Sequence, residues 1–396
     1  MRIGSTMTQV LFSAIDHQMM SLAIHLAKQG IYTTSPNPNV GCVIVHDGNV
    51  VGKGAHLKAG EPHAEVHALR QAGELSEGST AYVTLEPCSH YGRTPPCAEA
   101  LIKAKIRRVV CAMQDPNPQV AGRGIQMLRE AGIQVDVGLL EQDAWQLNPG
   151  FIKWMQTGMP FVQLKLAASV DGKTALSNGQ SQWITGAKAR QDVQHYRAKA
   201  GAILSTAKTV LDDNASLNVR WDDLPQSVQA IYDINHVRQP VRVILNRRGD
   251  LLKKPTNELK LFNTDGERLL VHPKQGSIYD METKAASNKV VDTQVIEAEL
   301  NDDQFDLPFL FKQLAKDQNI NHIWVEAGAT LAASLIKQDL VDELIIYIAP
   351  KLMGTDGRGL TQIMGLTSMK EAIDLDITDL RMVGADIRLT AKIVKK

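Results

Sequence analysis

Over the first 150 residues the apolar positions change period repeatedly. Residues 16–29, DHQMMSLAIHLAKQ, set apolar side chains three and four apart, the spacing of one helical face, and Gly30 predicts the stop. GCVIVHDGNVVGKGAH then reads as two strands about Asp47-Gly48, a strong hairpin signal. HAEVHALRQAG, TAYVTLEP, PPCAEALIKAK, RRVVCAMQ, GRGIQMLREAG and IQVDVGLL alternate helix with strand, as in an α/β layered domain. Residues 147–158, LNPGFIKWMQTG, predict a connection, after which FVQLKLAAS restarts the alternation. VRVILN, KLFNT, RLLVHP, KVVDTQVIEA, HIWVEAG and ELIIYIAPKL follow as apolar, β-rich segments with few long helices between them. Residues 222–238 and 253–290 are polar and read as loops. The expected layout is two α/β domains, 13–155 and 159–396.

Length supports this division: 396 residues exceed one ordinary core, and 44% hydrophobic residues suffice to fill more than one. Forty-three basic side chains balance forty-three acidic ones, so no global field draws the chain to nucleic acid or an anionic membrane. A small molecule is the expected partner, and a homo-oligomer is left open. MRIGSTMTQVLFSAIDH is too brief an apolar run for a signal peptide or a membrane span. The expected location is the cytoplasm, where thiols stay reduced. The sequence shows no internal repeat, coiled-coil heptad or low-complexity tract.

Two of the four cysteines, with eight residues between them, lie in the segment EPCSHYGRTPPC, Glu86 to Cys97. With His63-Ala64-Glu65 upstream, the composite follows the His-x-Glu…Pro-Cys pattern of zinc deaminases, except that the general pattern spaces its cysteines by two. One imidazole and two thiolates suit zinc and leave a fourth position for water. Thr94-Pro95-Pro96 predicts a helix start with Thr94 as N-cap, placing Cys97 in a first turn where the helix dipole favours a thiolate. Glu65, two residues past His63, falls outside the ligand set but within reach of the water, as a base that passes a proton to a leaving amine. Other readings compete. His63 and His67, four apart, are spaced like the ligands of His-Glu-x-x-His proteases, although alanine stands where that motif has glutamate. His90 is a rival ligand. Cys42 and Cys111, inside predicted strands, read as buried apolar side chains.

These motifs, together with Ser35-Pro36-Asn37-Pro38, Gly54-Ala55-His56, Asp115-Pro116-Asn117-Pro118 and Ala121-Gly122-Arg123-Gly124, resemble the bifunctional deaminase-reductase family of riboflavin biosynthesis. The longer cysteine spacing is that family's own. The resemblance implies a cytidine-deaminase-like first domain holding one Zn²⁺ on His63, Cys88 and Cys97, with Glu65 catalytic. Its substrate would be a diaminopyrimidinone carrying a ribosylamino 5′-phosphate, which loses its 2-amino group. Asn37, His56, Arg93 and Asn117 would surround base and phosphate. Turn chemistry is the bland reading of both asparagines, since each precedes proline. Gly122-Arg123-Gly124 lacks the third glycine of a dinucleotide fingerprint.

LKLAASVDGKTAL and GQSQWITG resemble the same family's reductase module, which implies a dihydrofolate-reductase-like domain in place of a Rossmann fold and hydride transfer from NADPH to C1′ of the opened ribosylamino group. By this match Lys165, Ser181, Arg197, Leu217, Arg220 and Glu326 face substrate, the arginines as forks on phosphate. Ala167, Trp183, Thr209, Asp213 and Gly328, Ala329, Thr330 and Leu331 face cofactor. The chain departs from the family at Gly201, Ser205-Thr206, Ala215 and Asn246. Arg247-Arg248 reads either as an exposed basic turn or as a 2′-phosphate contact. Rival functional readings keep one half active, or make the chain a nucleotide-binding module without catalysis.

Overall fold

The computed structural model describes residues 11–91, 95–118, 120–274 and 292–395, and the chain divides into two units, Met1–Thr157 and Gly158–Lys396. In the first, helix α1 (Ala14–Ala27) starts two residues before the apolar stripe begins, because Ser13 and Asp16 form a capping box: the Ser13 hydroxyl accepts from the Asp16 N–H at 3.1 Å and the Asp16 carboxylate from the Ser13 N–H at 2.9 Å. It ends at Ala27, earlier than the Gly30 stop predicts, and runs on through a 3₁₀ turn, Lys28–Gly30. Strands β1 (Gly41–His46) and β2 (Asn49–Ala55) form the expected hairpin, with Asp47 and Gly48 both left-handed at φ 45° and 78°, as a two-residue turn of this hand requires.

Helix α2 (Ala64–Ala72), β3 (Thr80–Val83), α3 (Cys97–Lys103), β4 (Arg108–Cys111), α4 (Arg123–Glu130) and β5 (Gln134–Val137) follow. The sheet order is β2-β1-β3-β4-β5, with β3, β4 and β5 parallel. Cys42 and Cys111 are buried in strands as free thiols. The segment expected to connect the domains is helical: α5 (Glu141–Leu147) and α6 (Pro149–Thr157) complete the first unit, and Leu147 and Ile152 bury in its core.

The second unit is built on a nine-stranded sheet. Its strands are β6 (Phe161–Ser169), β8 (Ala202–Thr206), β9 (Val241–Leu245), β10 (Arg268–Pro273), β11 (Thr293–Ala298), β14 (His322–Glu326), β15 (Glu343–Ala349), β17 (Leu375–Val383) and β18 (Asp386–Ile393), in the order β11-β10-β9-β8-β14-β6-β15-β18-β17. The short strands β7 (Lys173–Ala175) and β16 (Arg358–Gly359) pair with each other, as do β12 (Leu300–Asn301) and β13 (Gln304–Phe305). The run from β11 to β15 is parallel; β18 runs antiparallel to β15, and β17 antiparallel to β18. Helices α7 (Ala187–Lys199) and α8 (Ala207–Asp213) and the helices Leu307–Asp317 and Ala329–Lys337 connect the parallel strands, more helix than the sequence pattern suggests. The chain builds outward from β8 to β11 and then returns to insert β14 between β8 and β6, so the carboxyl ends of these three central strands meet where strand order reverses.

KLFNT is not a strand. Its carbonyls turn onto two buried arginines: Arg242 donates to the oxygens of Leu261 at 3.2 Å and Thr264 at 3.3 Å, and Arg268 to Leu261 at 2.9 Å. A carbonyl spent on a guanidinium cannot also pair with a neighbouring strand. Residues 222–238 hold short helical turns at Gln226–Gln229 and Ile234–His236, and the range 253–290 holds a turn at Thr256–Glu258 and β10, while residues 275–291 lie outside the described residues.

Candidate active sites

The first site is assembled at helix and strand ends. Gly54 on β2 lets α2 lie against the strand backbone, since a Cβ there would stand 2.0 Å from the Ala64 carbonyl oxygen. This close contact places His63 at the N-cap of α2 with extended backbone, so His63 and His67 do not form one helical face of ligands. Cys88 sits in the segment after β3, and Cys97 is the first residue of α3, with Pro96, not Thr94, at the N-cap position. Thr94 and Arg93 lie outside the described residues.

His63 Nδ1 is 3.6 Å from Cys88 Sγ and 3.3 Å from Cys97 Sγ, and the three ligand atoms lie within 4.8 Å of one another. A tetrahedral zinc with sulfur at about 2.3 Å and nitrogen at about 2.0 Å requires sulfur–nitrogen edges of about 3.5 Å, so these residues fit the ion. The Cys97 N–H donates to Cys88 Sγ at 3.2 Å. Hydrogen bonding from Cys97, with His63 beside it, lowers the Cys88 thiol from its ordinary value, while the same hydrogen bond and burial push Cys97 up. His90 is exposed and outside the cluster, and His67 is half-buried and also outside it.

Glu65 is buried, and its Oε2 has no hydrogen-bond partner among the described residues. Burial, then the charge of Cys88, pushes its carboxyl up to about 7. His56 is buried 5.3 Å from the His63 ring; its Nδ1–H donates to the Pro62 carbonyl at 3.2 Å, leaving Nε2 without a partner among the described residues. Asn37 is exposed in a turn where its N–H donates to the Thr34 carbonyl at 2.8 Å. Asn117 is half-buried, and its N–H donates to the Asp115 carboxylate at 2.8 Å, the turn chemistry its proline neighbour suggests. Asp115, named in a motif but given no site role by sequence, shares a recess with Cys88, Ser89 and His90.

The second site lies at the reversal of strand order. Lys165 on β6 stands directly opposite Glu326 on β14. It is half-buried with no hydrogen-bond partner among the described residues, and burial lowers its pKa, offset in part by Glu326. Arg197 on α7 does not present a free fork. Its Nε and Nη2 donate to the two Glu326 oxygens at 2.6 and 2.9 Å, and Nη1 donates to the Asn218 carbonyl at 3.0 Å. The bidentate partner expected to be phosphate is a carboxylate of the protein itself. Arg220 is the more open arginine, its side chain 47% exposed and paired at the surface with Asp223. Leu217 is buried in the core with a left-handed backbone, so its side chain is not available to a ligand.

Ser181 and Ala167 are half-buried, and Trp183 is exposed with Arg190 stacked 4.6 Å over its ring. Thr209 lies in the first turn of α8, where Thr206 caps its N–H at 3.2 Å, and Asp213 accepts from Gln182 at 3.5 Å. Gly328 is the N-cap of helix Ala329–Lys337, and no side chain caps that end. A Cβ at Gly328 would meet nothing within 4 Å, so the backbone there is open to a phosphate, and the residues fit a dinucleotide. Thr330 is held by Gln362 at 2.6 Å, and Leu331 is half-buried against the core. The departures carry structure: Ser205 donates to the Glu326 carbonyl at 2.6 Å, Asn246 meets His272 at 3.2 Å, and Ala215 packs beside the core. Arg247 is ion-paired with Asp303, and Arg248 is exposed.

The fold and the two clusters define a two-domain protein, a cytidine-deaminase-like zinc-binding domain followed by a dihydrofolate-reductase-like domain. The family described as the cytidine and deoxycytidylate deaminase zinc-binding region matches residues 13–113, and the RibD C-terminal domain matches residues 160–389. The chain is 51% identical to the riboflavin biosynthesis protein RibD of Escherichia coli (strain K12) over 94% of its length and 98% of that protein's. It is also 51% identical to RibD of Haemophilus influenzae, over 96% and 98%. The solved structure of Acinetobacter baumannii RibD superposes with a TM-score of 0.85 at 46% identity, covering 96% of this chain and 99% of that one. A deaminase/reductase structure from Thermotoga maritima gives 0.80 at 30% identity, covering 96% and 99%. The chain belongs to the RibD family of bifunctional deaminase-reductases of riboflavin biosynthesis. No helix among the described residues is long and apolar enough to cross a membrane.

Proposed function

We propose that residues 13–155 deaminate a diaminopyrimidinone bearing a ribosylamino 5′-phosphate, and that residues 159–396 then reduce its ribosyl chain with NADPH. The observation that carries this reading is Glu65, a buried carboxyl whose Oε2 has no hydrogen-bond partner among the described residues, beside a His63, Cys88 and Cys97 cluster of zinc dimensions. A binding module has no use for such a proton carrier.

Zinc in such a site supplies Lewis acidity that brings the pKa of water to about 7. His63, Cys88 and Cys97 would hold the ion. Glu65 takes a proton at Oε2 and returns it to the leaving amine, a role its raised pKa suits. His56 Nε2, Asn37, Arg93 and Asn117 orient the pyrimidine and its phosphate.

NADPH supplies a hydride when bound. Gly328, Ala329, Thr330 and Leu331 would hold its phosphates, and Trp183, Thr209, Asp213 and Ala167 would face the rest of it. Arg220 and Ser181 hold substrate. Lys165 and Glu326 face the reacting chain as an opposed cation and anion, and Arg197 fixes Glu326. Incubating the protein with the diaminopyrimidinone phosphate, with and without NADPH, and identifying each product by mass tests both halves. A deaminated product without NADPH and a ribityl product with it are expected. Unchanged substrate in both tubes would defeat the reading.

A further inference from the structure

Glu86 and the run Ala121-Gly122-Arg123-Gly124 have no role in the chemistry above, yet the fold brings them together. Glu86 follows β3, two residues before Cys88, and is 5% exposed. Its carboxylate accepts four backbone N–H groups from one stretch of chain. Oε2 takes Asp115 at 3.0 Å and Gly122 at 2.9 Å; Oε1 takes Gly124 at 2.8 Å and Ile125 at 3.2 Å. One oxygen therefore closes the loop after β4 by holding both its ends. The other caps the first turn of α4, whose own N-cap, Gly122, has no side chain to do so and adopts φ 80°. Gly124 completes the seam, since a Cβ there would stand 2.0 Å from the Pro87 carbonyl oxygen.

We propose that Glu86 is a positioning residue of the deaminase: it ties the loop carrying Asp115 and Asn117 to the segment carrying Cys88, so that the substrate-facing wall is held in register with the metal ligands. The proposal rests on the deaminase reading above. Neither His63 and Glu65 on α2 nor Cys97 on α3 depends on Glu86 for its place, so loosening the seam displaces the wall more than the proton carrier. The consequence is a selective loss of substrate binding.

Glu86→Gln tests this. A glutamine presents one oxygen and one N–H₂, and the N–H₂ must face either the loop pair or the helix pair of N–H groups, leaving that pair without an acceptor. Deaminase KM is expected to rise roughly tenfold to a hundredfold, with a smaller change in kcat, one zinc per chain retained and reductase constants unchanged. Glu86→Asp, which keeps the charge and retracts the oxygens, is expected to show the same selective rise at smaller size. Amide hydrogen exchange on the unmodified protein supplies a test that needs no variant: the N–H groups of Asp115, Gly122, Gly124 and Ile125 are expected to be protected. Fast exchange at those four, an unchanged KM in a folded Glu86→Gln protein, or activity lost in proportion to zinc would each overturn the proposal. Absence of deamination by the unmodified protein would instead overturn the reading on which it rests.

Discussion

Replacing Arg197 by alanine is expected to destabilise the second unit by about 3–5 kcal/mol near neutral pH, the usual cost of removing one partner of a buried ion pair. Both side chains are well enclosed, Arg197 at 11% and Glu326 at 13% exposure. Burial pushes the Glu326 carboxyl up; the charge and fork of Arg197, then Lys165 and the Trp324 indole N–H, outweigh it and hold the group at about 2. Against an unfolded value of about 4.3, that depression alone corresponds to roughly 3 kcal/mol. The two routes agree. Because the folded pKa lies below the unfolded one, this stabilisation is fully present above about pH 4.3 and fades as pH falls through about 2. Without Arg197 burial dominates and the carboxyl pKa rises, so the variant's deficit is largest at neutral pH and narrows as acid protonates Glu326. For a unit of this size the melting temperature falls by about 2–4 °C per kcal/mol, or roughly 6–20 °C in all. Calorimetry of the second unit's transition at neutral and mildly acidic pH reads the effect, and Arg197→Ala/Glu326→Gln should recover part of the loss. Melting within about 2 °C of the parent, or a deficit independent of pH, would show that the fork seen here does not hold Glu326 in solution.

Glu65→Gln is expected to keep zinc while deamination slows by about 10² to 10⁴, measured as ammonia release beside metal content; loss of zinc would make Glu65 a ligand. Cys97→Ser should release zinc and abolish deamination while reduction of supplied deaminated substrate continues, since each unit has its own core. Equal loss of both activities would point to global misfolding. Arg220→Ala should raise the reductase KM for the phosphorylated pyrimidine roughly tenfold to a hundredfold and leave KM for NADPH unchanged, with Asp213→Ala showing the opposite pattern in the same steady-state assays. Reversed patterns would exchange the two faces.

The alternation of periods was enough to order most of the strands, because one-sided burial leaves its mark on every second or every third and fourth residue. It failed at KLFNT, where Leu261 is fully buried but its carbonyl serves Arg242 and Arg268. An apolar side chain records burial, not the partner of its backbone. It failed again at residues 147–158, where Pro149 and Gly150 suggest a break yet stand in the first turn of α6, a position proline tolerates.

The two sites differ in legibility for a related reason. A metal centre selects residue types that are individually rare in this chain, and His63, Cys88 and Cys97 fall within 35 residues of one another, so their spacing survives in the sequence. The reductase cluster draws on common residue types from distant elements: Arg197 and Glu326 are 129 positions apart and meet only because β14 inserts beside β6 and β8. Resemblance marked both residues as substrate-facing, and the fold brings the two side chains together. What it could not supply was their mutual fork, because a family match reads positions one at a time and an ion pair is a property of two. Glu86 makes the same point within the first unit. It sits inside the most specific motif of the chain, but its four partners lie 29 to 39 residues downstream and are backbone groups, which leave no trace in residue identity apart from the glycines that let the chain pass so close.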